Sequence, residues 1–451
     1  MKRLLFIFVS LCFVACNSDI KEEIDKPLVE DDHSLTENEA ITILENFANS
    51  VSKTRSLSSF RIVDCTRKYA SDFGSNPDII TRANAENIDV NAVPVYEIKT
   101  DSDEGYGFGL VLGDKRFDEV IAFCPEGSLS DTLFNEGLAD FTKSIPFLIY
   151  ENLLFEQQQK EQTTRSDYWQ PEPTYFNYIT EWDNPIIITF NSYDEACDAF
   201  YGTGHYLPWD TYDTPARYVP VKWHQEGPYN NRVNHKCDGI RGKVGCGAVA
   251  LAQLMSFHKH PANYNWSLIT SSQKIYPNQT AAVNEVSRLM IDLATATSTT
   301  YSCKNDGLGG SSGTTYTNSY APALERFGYT ANYVFAKSEK VSSEIVRDGI
   351  VNYGPVLFSA SKSSLNGVAM SGHVWVIDGF YKKSRYYQTF TYGWNDDLIK
   401  FGYISRYRQH FVMLHNCWGW GGSSDGWYYN FTPVNEKYVF SEYHLWTVKP
   451  K

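Results

Sequence analysis

The sequence predicts an α+β chain with two folded units behind an exported leader. Three observations carry this. A chain of 451 residues is long enough for two or more cores. Helix, strand meander and helix follow one another within roughly 120 residues, the grouping of a small α+β domain. The stretch 157–174 is polar and without apolar period, and it separates that domain from a longer region rich in Tyr, Trp and Gly. Composition agrees: hydrophobic residues make up 42% and aromatic residues 15%, a globular balance and not a disordered one. With Lys+Arg 40 against Asp+Glu 53, the net charge of -13 and the lack of a basic cluster exclude nucleic acid as the main partner.

The N-terminus sets the expected compartment. Lys2 and Arg3 precede the apolar run Leu4–Ala15, too short to span a bilayer and laid out like a secretory signal peptide. Val14-Ala15-Cys16 followed by Asn17-Ser18-Asp19 resembles a bacterial lipoprotein box. Residues 1–16 are then a signal, with Cys16 as the lipidated first residue of the mature chain. An ordinary cleaved signal with an incidental Cys16 is the alternative. The expected location is outside the cytoplasm, periplasmic or at the cell surface, touching membrane only through that lipid. Leaflet, and release on maturation, stay open.

Residues 17–33 are an acidic tether. Next, either Ser34 with Glu37 or Thr36 with Glu39 can form a capping box ahead of a helix whose apolar positions are Ala40, Ile43, Leu44, Phe47, Ala48 and Val51. Strand-like runs follow at Val93–Thr100, Gly107–Leu112 and Glu119–Phe123, then a helix at Leu138–Leu154. The expected domain is 34–156, the linker 157–174 and the second unit 175–451. In that unit Ala248–Phe257 reads as a buried helix. Val356–Ser359, Val374–Ile377, Phe411–Leu414, Trp427–Asn430 and Leu445–Val448 read as strands.

Three segments carry chemistry. In Gly245-Cys246-Gly247 the Cys stands at the mouth of a helix, where free N–H groups and the helix dipole favour thiolate. The plain alternative is a buried structural Cys. In Gly372-His373-Val374 an imidazole heads an apolar strand, a base matched to a thiol near neutral pH, or else a hydrogen-bonded surface residue. The run His415-Asn416-Cys417-Trp418-Gly419-Trp420-Gly421-Gly422 suggests a tight loop laying an indole over a thiolate–imidazolium pair that must stay dry, or a purely structural turn.

In this order the three segments closely resemble the streptopain family of bacterial cysteine peptidases. The helix fits that family's Gly-Cys-x-Ala-x-Ala-x-Ala-Gln-x-Met pattern. Gly372-His373…Asp378-Gly379 fits its His motif, and Trp223-His224-Gln225…Pro228-Tyr229-Asn230 its upstream stretch. The resemblance spans about 218–451, and 35–155 resembles the inhibitory propeptide found ahead of such enzymes. It implies a papain-like two-lobed domain hydrolysing proteins or peptides through a thioacyl-enzyme, without cofactor or metal, held by its own propeptide. Cys246 would be the nucleophile and His373 its general base. The Cys246 N–H and the Gln225 amide would be oxyanion donors, and Trp418 and Asn416 would orient the pair.

One departure stands out. The family reads His-x-Asn-Trp, whereas here Cys417 holds the Asn position and Asn416 precedes it. In an extended segment a one-residue shift turns a side chain to the other face unless a bulge restores it. A catalytically impaired surface lipoprotein that binds peptides, or a papain-like acyltransferase, therefore remains an alternative. His258-x-His260 is expected to be a surface or helix-end pair, since residues two apart do not share a helix face.

Overall fold

The computed structural model describes residues 33–164 and 211–451 apart from 53–59, 75–82, 84–85, 104, 118–119, 134, 305–309, 316, 338–342, 363–370, 395–399 and 430–441. It also describes 176–179, 189–190, 205–206 and 209. The leader with Cys16, tether residues 17–32, and 165–174 of the expected linker lie outside the described residues. Among those described, no helix is long and apolar enough to cross a membrane.

Of the two possible capping boxes, the second forms. The Thr36 hydroxyl accepts from the Glu39 N–H at 3.3 Å while the Glu39 carboxylate accepts from the Thr36 N–H at 2.8 Å. This opens α1 (Glu37–Ser52), whose Ala40, Leu44, Phe47, Ala48 and Val51 are buried. An antiparallel meander follows: β1 (Arg61–Lys68), β2 (Val95–Ser102), β3 (Gly105–Leu112) and β4 (Val120–Cys124). Sequence reading missed β1, because an outer strand with little burial shows no clear alternation.

The next helix, α2 (Glu136–Thr164), is longer than the predicted Leu138–Leu154. It runs through residue 156 and takes in 157–164, which the sequence assigned to the linker. Gln, Glu and Lys there are good helix formers, and being polar they leave no apolar period to read.

The second unit contributes α3 (Cys246–His258), α4 (Thr280–Ala296), β5 (Tyr329–Lys337), β6 (Val356–Lys362), β7 (Ser371–Trp394), β8 (Lys400–Cys417), β9 (Gly426–Tyr429) and β10 (Glu442–Pro450). Each of the five predicted strand runs falls on one of β6 to β10, except that Asn430, the last residue of the run Trp427–Asn430, lies outside the described residues. The strands of both units form one sheet, in the order β1-β2-β3-β4-β9-β8-β7-β6-β10-β5. The join is antiparallel, with Phe123 opposite Trp427 and Ala122 opposite Tyr428.

Side chains follow the same join. Helix α1 packs over the meander, and Phe47 sets its ring edge-on to Phe123, Tyr381 and Trp427. Leu138, Ile145 and Leu148 of α2 share a core with Trp375, Ile377, Trp418 and Tyr428. On the other side α3, apolar all round, is buried with α4 against Val374, Val376 and Cys417. Among the described residues a disulfide joins Cys237 to Cys303, while Cys65, Cys124, Cys246 and Cys417 are not disulfide-bonded.

Leu44 is fully buried, and its methyls occupy the space a side chain at Gly109 would need. Leu44→Ala should cost roughly 2–5 kcal/mol. Urea unfolding of the full chain should show a clearly lower midpoint, and an unchanged midpoint would mean that α1 contributes little to holding the first unit.

Candidate active site

Gly245 opens α3 with φ 100°, a conformation that side chains other than glycine's rarely adopt. That turn delivers Cys246, half-buried, to the first position of the helix. Its backbone N–H is among the four that an α-helix leaves without an intrahelical partner. The neighbouring hydroxyl of Tyr320 is driven well above the usual tyrosine range by complete burial, so it stays a neutral phenol.

The upstream motif holds a rail beside this turn. Trp223 and Tyr229 are fully buried, and the Asn230 amide donates to Gly242 O at 2.9 Å. Val244 N then donates to Gln225 O at 2.9 Å, which fixes the Gln225 backbone next to the residues leading into Cys246. Among the described residues the Gln225 side-chain amide makes no hydrogen bond.

His373 is buried at the start of β7. Its Nε2 lies 2.9 Å from Trp418 O. A carbonyl can only accept, so Nε2 carries the proton and a neutral ring presents Nδ1 as the basic atom. The imidazole stands parallel to the rings of Trp375 (5.8 Å, 15°) and Trp420 (6.3 Å, 13°). No hydrogen bond joins the Cys246 thiol to His373 or to any other described residue.

The shifted motif resolves through a bulge. Ile377 pairs with Asn416 and Gly379 with His415, leaving Asp378 as the extra residue. Asn416 lies on the Trp375 side, where its Oδ1 accepts from Trp375 Nε1 at 2.8 Å. It thus supports the ring that stacks on His373 and does not bond His373 in an observed contact. Cys417 turns the other way, towards Asp378 Oδ2 at 3.2 Å.

The two tryptophans divide a task the sequence assigned to Trp418 alone. The Trp418 carbonyl orients His373, while its indole packs on Trp375 (4.9 Å) and Tyr428 (5.3 Å). Trp420 supplies the parallel ring and carries the Lys243 ammonium 5.2 Å from its centroid. Trp375 could have been found from strand alternation, two residues after His373. Trp420 could not, since its orientation depends on the loop.

His258 closes α3, as expected of a helix-end pair, and both it and His260 are half-buried. The Nε2 atoms of both are buried without a hydrogen-bond partner, and burial pushes His258 down to about 4. Two clusters of potential metal ligands occur among the described residues. One is His235 with the disulfide-bonded Cys237 and Cys303; the other is Asp378, His415 and Cys417.

Residues 223–428 match the model of the peptidase C10 family, and residues 32–146 match that of the Spi protease inhibitor. Among solved structures, a fragment of Prevotella intermedia prointerpain A is similar at 17% identity with a TM-score of 0.43, over 79% of this chain and 96% of that one. Active Prevotella intermedia interpain A cysteine protease is similar at 19% identity with a TM-score of 0.35, over 52% of this chain and 94% of that one. No curated protein matches the chain.

Because Asn416 acts through Trp375, Asn416→Ala should leave a buried indole N–H unpaired, at a cost of about 1–3 kcal/mol. Peptide turnover should then fall in kcat/KM by roughly tenfold. An Asn416→Ala enzyme with the parent's kcat/KM would show that the Asn416–Trp375 bond does not position His373.

Proposed function

We propose how this chain works from the premise that it is a cysteine peptidase precursor of the peptidase C10 family, with an inhibitory propeptide ahead of its catalytic domain. In this reading Cys246 is the nucleophile and His373 the general base. The tautomer of His373 supports it most directly: Nε2–H is committed to Trp418 O, so Nδ1 is the basic ring atom that can accept the thiol proton. The thiolate attacks the substrate carbonyl, and the oxyanion is held by the Cys246 N–H and the Gln225 side-chain amide. His373 then protonates the leaving amine, a thioester remains on Cys246, and water activated by His373 releases the acid. Substrates are proteins or peptides.

Latency follows from the loop that supplies Trp418. The propeptide grips that loop at several points. Ser424 N donates to Glu126 O at 2.7 Å, and the Ser423 and Ser424 hydroxyls both donate to Asp131. The Glu126 carboxylate pairs with Lys222 at 2.9 Å and Lys274 at 2.5 Å. Gly137 lies so close to the Trp418 ring that a side chain there would stand 2.2 Å from it. We read the missing Cys246–His373 bond as the consequence: loop and imidazole are held in the precursor's arrangement until the propeptide leaves.

Export with lipidation of Cys16 belongs to the same proposal. The signal-like leader supports it, and the Cys237–Cys303 disulfide suits an oxidising compartment.

Cys246→Ala should abolish peptide hydrolysis with the fold intact. His373→Ala should slow alkylation of Cys246 by iodoacetamide near neutral pH, and an unchanged rate–pH curve would remove His373 from the mechanism.

Latency has its own test. Glu126→Gln takes the carboxylate from both Lys222 and Lys274 and so weakens the charged part of the grip. Gly137→Leu forces the helix start off Trp418. Both variants should develop activity at least several-fold faster than the parent precursor. Unchanged lag times in both would show that the grip on this loop does not maintain latency.

A further inference from the structure

Of the two ligand-rich clusters outside the mechanism, the one without a disulfide is fully buried. Asp378, His415 and Cys417 are 1%, 2% and 3% exposed. His415 Nδ1 donates to Asp378 Oδ1 at 2.6 Å, and the Cys417 thiol donates to Asp378 Oδ2 at 3.2 Å. The thiol sulfur lies 3.9 Å from the same His415 Nδ1. All three donor atoms thus converge on one point, from the bulge of β7 and from one face at the end of β8.

We propose that this cluster is a site for a borderline-soft divalent cation of the zinc class. The donor set is a thiolate, an imidazole and a carboxylate, which favours Zn²⁺ or Co²⁺ over Mg²⁺ or Ca²⁺. In a tetrahedral zinc site such donors stand roughly 3.3–3.7 Å apart, as the bond lengths require. The sulfur–nitrogen and sulfur–oxygen separations already lie close to this. With Oδ2 as the carboxylate ligand, the 2.6 Å hydrogen bond between His415 Nδ1 and Asp378 Oδ1 is given up as the cation binds.

The protons balance. The Cys417 S–H loses its proton to solvent, and the His415 proton moves from Nδ1 to Nε2, so Nδ1 becomes a ligand. Thiolate and carboxylate together carry two negative charges, which a divalent cation neutralises. That matters at a site this buried, where unpaired charge is costly.

The surroundings leave room for a fourth ligand. The cluster lines a cavity of about 10 Å³, together with Tyr218, Lys222 and Asp425 among others, which has room for about one water. Its wall also includes Pro125 and Glu126 of the propeptide, and Glu126 pairs with the Lys222 ammonium. The propeptide therefore covers the approach to the site, so the cation is expected to enter during folding. Val219 N donates to Asp378 Oδ2 at 2.9 Å and orients the carboxylate from behind.

The test uses the full-length precursor carrying Cys246→Ala, which removes the catalytic thiol as a competing ligand. It is produced with added Co²⁺, and bound metal is measured beside the thiolate-to-cobalt charge-transfer absorption. The expected result is about one cobalt per chain with that absorption. Cys417→Ser should abolish the band, and Asp378→Asn should weaken retention on the order of tenfold or more. If Cys417→Ser fails to fold, thermal unfolding of the Cys246→Ala protein with and without Zn²⁺ substitutes, and a zinc-dependent rise in Tm is expected. A precursor that holds no cobalt, a band that survives Cys417→Ser, or a Tm indifferent to Zn²⁺ would each overturn the proposal.

Discussion

The rest of the site depends on how the backbone of Trp418–Asp425 is held. Trp418 O accepts the His373 Nε2 proton, Trp418 N donates to Asp425 Oδ1 at 2.8 Å, and Gly421 N donates to Trp223 O at 3.0 Å. One short loop thus selects the tautomer of His373, places Trp420 parallel to it and ties both to the rail that bears Gln225. A backbone carbonyl takes the part that a side-chain amide would otherwise play. This explains how the chain can carry Cys at position 417 without stripping His373 of its acceptor.

The propeptide reaches that loop because it is built into the same sheet. Pairing β4 against β9 extends the catalytic sheet by backbone hydrogen bonds, and the apolar surfaces of both units then close over the join. Charge finishes the grip: Glu126 meets two lysines from the catalytic domain, one of them nearly buried. Such an interface has few independent parts. Strand pairing, aromatic packing and the ion pairs all converge within a few residues of Ser424.

The bulge at Asp378 has two consequences on two faces. It returns Asn416 to the side of Trp375 and His373, and it aims a carboxylate at His415 and Cys417 on the other. A single inserted residue therefore separates a polar contact that supports the ring stacked on His373 from a buried thiol cluster beneath the same strands.

Much of this was legible from residue order. Helical and strand periods located α1, α3 and the five strands β6 to β10, because each has a face that must be buried. Gly around Cys246 and His373 marked places where backbone geometry and close approach matter, and the motif order pointed to a thiol peptidase with a propeptide. What the sequence could not decide involves partners distant along the chain. Strand β1 is an exposed outer strand without alternation, and α2 continues through residues too polar to show a period. Whether Asn416 or Cys417 faces the base depended on a bulge in the opposing strand, which no local pattern records. That His373 answers to a carbonyl, and that the loop supplying it is gripped by the propeptide, are decided by tertiary packing, because hydrogen bonds between residues so far apart in sequence exist only once the chain has folded.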